Sequence, residues 1–134
     1  AIEAEIACQR GDHAGALRWA DEAIGVAGPI GGHFAEAMAW RVKAISSLHT
    51  GASLEQAQSC LDLAMARHER GEAHAERTFT TLVWAHTLHQ AGQPQAARQW
   101  VDQAVALAGR HGYVLARCEH GAAAVLGGLG DTAA

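Results

Sequence analysis

The feature that most constrains this chain is a unit written three times. Gly11 opens GDHAGALRWADEAIGVAG, Gly51 opens GASLEQAQSCLDLAMARHERG and Gly92 opens GQPQAARQWVDQAVALAGRHG. Aligned on those glycines, the copies read Ala16-x2-Trp19-x3-Ala23, Ala57-x2-Cys60-x3-Ala64 and Ala97-x2-Trp100-x3-Ala104, each followed by an apolar residue (Ile24, Met65, Val105). Alanines seven residues apart lie on one helical face about two turns apart, where small side chains let a neighbouring helix approach. The glycines stand 40 and then 41 residues apart, so the period is near 40 and the chain reads as a helical repeat.

Longer apolar-periodic segments fill the gaps. One runs from about His33 to His49, the next from about Ala73 to Gln90, and a last one starts near Tyr113. Each carries an alanine seven places before a turn glycine: Ala44 before Gly51, Ala85 before Gly92 and Ala123 before Gly130. Glycine ends helices and proline cannot continue them. The turns between copies therefore fall at Gly28-Pro29-Ile30-Gly31-Gly32, around Gly71, and at Gly109-Arg110-His111-Gly112. Abundant alanine and few β-branched residues favour helix throughout. The expected fold is all-α, a single domain of antiparallel helix pairs with about seven helices. Its segments are a partial repeat over 1–32, repeats over 33–71 and 72–111, and a partial repeat over 112–134. Another helix-pair solenoid or a plain bundle is the alternative, although a bundle has no need of the same small residues at a fixed period. The two ends read as cuts through a longer array.

The late small residue of the first helix, the turn glycine and the two alanines of the second helix resemble the tetratricopeptide repeat, and the resemblance covers nearly the whole chain. Trp40 stands where that family often has an early tryptophan. The departures are a period near 40 instead of about 34, Lys43 and Trp84 at a position where leucine is usual, and no closing proline. Longer units of this kind resemble the repeat regions of large signalling ATPases, including the ATP-dependent LuxR-type transcription regulators. The resemblance implies a right-handed solenoid and a non-catalytic scaffold or sensor segment of a larger bacterial-type regulator, in the cytoplasm.

In a tetratricopeptide arrangement the first helix of each pair lines the concave face. That implies a groove of Met38, Arg41, Ile45, Leu48 and His49, then Phe79, Leu82, His86, His89 and Gln90, then Arg117, His120 and Ala124. The set is apolar with a basic accent and holds no carboxylate. The expected ligand is a peptide or protein segment with an anionic group; alternatively a small effector occupies the same groove. Arg41 and Arg117 can instead pair with acidic side chains of missing flanking repeats. The family's carboxylate clamp is not carried over, because the chain has no asparagine.

Charge and motifs exclude several classes. A net charge of −4 with charged residues at 18% offers no general attraction for nucleic acid. No apolar run approaches the roughly 18 residues of a membrane span. Three widely spaced cysteines, Cys8, Cys60 and Cys118, argue against a disulfide framework. His86-x2-His89 can share a helix face with His49 or His120 nearby, but a bound metal is not expected. His68-Glu69-Arg70-Gly71-Glu72-Ala73-His74 lacks zincin spacing. Cys118 and His120 stand two apart and diverge on a helix. Gly127-Gly128-Leu129-Gly130 lacks the lysine of a phosphate loop. No enzyme activity and no cofactor are expected. Trp19 and Trp100, at equivalent positions, are expected to pack between helices, as is Cys60. Ile2, Ile6, Leu126 and Leu129 at the ends are expected to be interface residues, with the missing chain or, by self-association, with another copy.

Overall fold

The turns build the fold. Five times, the backbone N–H of one residue reaches the carbonyl five residues back at 2.9 Å: Asp12 to Ala7, Gly32 to Ala27, Ala52 to Ser47, Ala73 to His68 and Gln93 to Leu88. In each case the residue just before the donor is left-handed. Gly11, Gly31, Gly51 and Gly92 supply that residue with φ of 80°, 71°, 99° and 77°. At the fifth turn the left-handed residue is Glu72, φ 52°, and not the neighbouring glycine; Gly71 has φ −82°. The repeated sequence signal is thus a repeated backbone conformation, kept in one copy by a residue poorly suited to it.

The computed structural model describes residues 1–110. Its helices are α1 (Ile2–Gln9), α2 (His13–Ala27), α3 (His33–His49), α4 (Leu54–Arg70), α5 (His74–Gln90) and α6 (Pro94–Arg110). The protein is all-α over this range. The segment expected to start near Tyr113 lies outside the described residues, with Arg117, Cys118, His120, Ala123, Ala124, Leu126 and Leu129. Caps secure two helix starts. Asp12 accepts the Gly15 N–H at 3.0 Å. Ser53 and Gln56 form a reciprocal capping box, each side chain bonded at 3.1 Å to the other's backbone N–H.

The chain divides into two compact units, Ala1–Ala73 and His74–Ala134. In the first, α1 packs on α2, α2 on α3 and α3 on α4, and α3 also touches α1. The repeat alanines lie in these seams: Ala16, Ala57, Ala64 and Ala44 are fully buried. Ala16 and Ala20 of α2 join Ala4 of α1 and Ala39 and Val42 of α3 in one cluster. Small residues there let three helix backbones converge.

In the second unit α5 packs on α6, with Ala85, Ala97 and Trp84 fully buried. Helix α5 buries four threonines, Thr78, Thr80, Thr81 and Thr87. Thr78, Thr81 and Thr87 turn their hydroxyls onto the carbonyls four residues back, His74, Arg77 and Val83, at 2.8–3.0 Å. That satisfies each hydroxyl without a second helix.

Candidate functional site

The expected groove residues divide between the two units. On α3, Met38 is half-buried and His49 exposed, while Arg41 and Ile45 are buried. On α5, Phe79 and His89 are half-buried, His86 is exposed and Leu82 is buried. Arg41, the anion-selecting side chain of that reading, is only 3% exposed. Its Nη2 lies 3.3 Å from Glu5 Oε1 on α1. The guanidinium therefore joins α1 to α3, with a partner in the same unit and not in a missing flanking repeat. Arg67 and Glu36 make the corresponding link between α4 and α3 at 3.0 Å. Lys43 reaches Asp21 at 2.8 Å and ties α3 to α2.

A second cluster was invisible in the spacing. The Ser46 hydroxyl, fully buried, donates to Cys8 Sγ at 3.5 Å. With its one proton spent there, it accepts from His13 Nδ1 at 3.1 Å. The His13 ring stacks on His49, with centroids 4.2 Å apart and planes at 17°. His49 Nδ1 donates to the Ile45 carbonyl at 3.0 Å. The line Cys8–Ser46–His13 thus joins α1, α3 and α2 in one hydrogen-bonded chain. Burial pushes the Cys8 thiol above its ordinary value, partly offset by the Ser46 bond, so it stays a protonated, weak nucleophile near neutral pH. Desolvation and then the neighbouring His49 push the His13 imidazole below its ordinary value, against a small opposing pull from Asp12. Among the described residues no group of three or more His, Cys, Asp and Glu side chains could hold a metal ion. None of their helices is long and apolar enough to cross a membrane.

An open cleft lies elsewhere in the first unit. Trp19, Ala23, Val26 and Ala27 of α2, Ile30 of the following turn and Ala35 of α3 line a cleft, with Glu3 and Glu22 at its edge. Trp19 is 46% exposed, Val26 63% and Ile30 79%. The expected packing role of Trp19 is therefore corrected. Its equivalents Cys60 on α4 and Trp100 on α6 are half-buried, not core. The position between the two repeat alanines is a rim site in all three copies. Burial of its neighbours Ala16 and Ala20 leaves the large ring turned toward solvent. Phe34, Ile2 and Ile6 add further exposed apolar surface.

No protein-family model matches this chain, and no match was found among curated proteins or solved structures.

Proposed function

We propose that this chain is a non-catalytic interaction module built from tetratricopeptide-like helix pairs, serving as a scaffold or sensor segment within a larger cytoplasmic regulator. The observation that carries the reading is the apolar cleft around Trp19. A monomeric soluble surface rarely gathers a tryptophan and several aliphatic side chains in one place without a partner. Open clefts of this form suit a polypeptide segment better than an enclosed small effector. The links Arg41–Glu5 and Cys8–Ser46–His13 support the same reading, because they use the chain's reactive side chains to fasten helices. The right-handed stacking and the regulator setting rest on the tetratricopeptide resemblance.

The test is affinity capture with the whole chain as bait, beside Trp19→Ala/Val26→Ser. A partner retained by the wild type and lost by the variant, with unchanged circular dichroism, is the expected result. Equal capture by both proteins removes this surface from the interaction.

A further inference from the structure

The start of α2 and the end of α3 meet through two rings with opposite charge preferences. His13 is the first residue of α2 and His49 the last of α3. A helix N-terminus disfavours a positive charge and a C-terminus favours one. His49 is exposed and His13 half-buried, so water also helps His49 more to carry a proton. Each ring has one nitrogen already bound to α3. His49 Nδ1 donates to the Ile45 carbonyl at 3.0 Å, and His13 Nδ1 to the Ser46 hydroxyl at 3.1 Å. An added proton therefore enters at Nε2 of either ring. The first goes to His49. The next must charge His13 beside an imidazolium stacked 4.2 Å away, where like charges repel.

Little around the stack absorbs that second charge. On α2, Asp12 draws a proton toward His13, but its side chain is engaged in capping the Gly15 N–H. From α1 the titratable group in line with the stack is Cys8, reached through Ser46, and burial keeps its thiol protonated. Glu5 of α1 is paired with Arg41. From α3 the group facing His13 is His49 itself. Among the described residues α4 offers His49 no hydrogen bond or ion pair.

The same corner covers a thiol. Cys8 packs against the cluster of Ala4, Ala16, Ala20, Ala39 and Val42. Ala16 lies about one turn along α2 from His13, so a shift of that first turn opens the side of Cys8. Cys60 offers a contrast within the same unit. It stands on α4 beside Lys43 and Asp21, and Asp21 lies about two turns further along α2 from His13.

We infer that the His13–His49 stack is an acid-operated latch: protonation of both rings parts the start of α2 from the end of α3, breaks the His13–Ser46 bond and uncovers the Cys8 thiol while the rest of the unit stays folded. The latch is independent of the interaction reading above. It makes the fastening of α1, α2 and α3 conditional on pH, with release in mild acid.

The test uses the whole chain and dithiodipyridine, an aromatic disulfide that modifies thiols in acid as well as at neutral pH. Modification of Cys8 and Cys60 is followed separately by peptide mass spectrometry. The thiolate fraction falls alike at both sites as pH drops, so the ratio of their rates isolates access. That ratio, Cys8 over Cys60, is expected to rise about tenfold from about pH 7 to about pH 5. His13→Gln keeps an N–H for Ser46 without a titrating proton, and His49→Gln removes the neighbouring charge at an exposed site. Each variant should hold the ratio constant within about twofold. His49→Gln decides alone if His13→Gln does not fold. A wild-type ratio that ignores pH overturns the inference. So does a rise that survives in a folded variant, or Cys60 modification that rises in step with Cys8, which marks unfolding of the whole unit.

Discussion

The imidazole rings of His13 and His49 stack with centroids 4.2 Å apart, at the point where the start of α2 meets the end of α3. Two stacked imidazoles tolerate at most one charge well, and His13 is already held below its ordinary value of 6.5 by desolvation and by His49. A histidine depressed in the folded state binds its proton first in the unfolded chain, so its contribution is complete above about pH 6.5 and is lost as pH falls below it. Thermal unfolding followed from about pH 7 to about pH 5 should show a falling Tm, and His13→Gln should flatten that fall. In His49→Ala the His13 titration, followed by NMR, should move up toward 6.5.

Arg41 and Glu5 predict a stability effect. Removing one partner of a buried pair leaves the other charge poorly solvated. Arg41→Ala should therefore destabilise the chain by about 2–4 kcal/mol in denaturant unfolding. Glu5 is more open, its side chain 26% exposed, and Glu5→Gln should cost about 1–2 kcal/mol. A neutral Arg41→Ala would show that the pair does not fasten α1 to α3.

Two tryptophans should behave oppositely. Trp84 is fully buried and Trp19 is 46% exposed. Trp84→Ala should cost about 3–5 kcal/mol. Trp19→Ala should stay within about 1 kcal/mol of the wild type. Urea midpoints for the two variants settle the contrast.

Glu72 holds a backbone angle that the other four turns give to glycine, φ 52°. A left-handed conformation costs a non-glycine residue about 1–2 kcal/mol, part of which glycine returns as entropy of the unfolded chain. Glu72→Gly should raise stability by about 0.5–1 kcal/mol. Gly51→Ala, at φ 99°, should lower it by about 1 kcal/mol or more.

Much of this was legible in the residues. The glycine and alanine pattern placed α3 at its bounds of His33 and His49 and α5 within one residue of its start. It also identified Ala16, Ala57, Ala97, Ala44 and Ala85 as seam residues, all fully buried. The groove was less legible. Helical spacing places Arg41, Ile45 and His49 on one stripe, but that stripe runs from the core at Arg41 to solvent at His49. Spacing alone cannot separate the concave side of a helix from the side pressed against the preceding pair.

The sequence by itself determined where the chain turns and which faces are small, because left-handed glycines and alanine seams are local, periodic properties. Only the tertiary structure decided which side chains meet. Arg41 finds Glu5 across 36 residues, Ser46 finds Cys8 across 38 and His13 finds Ser46 across 33. Those separations lie near one repeat length, so partners are set by how one pair stacks on the next and by how long each helix is.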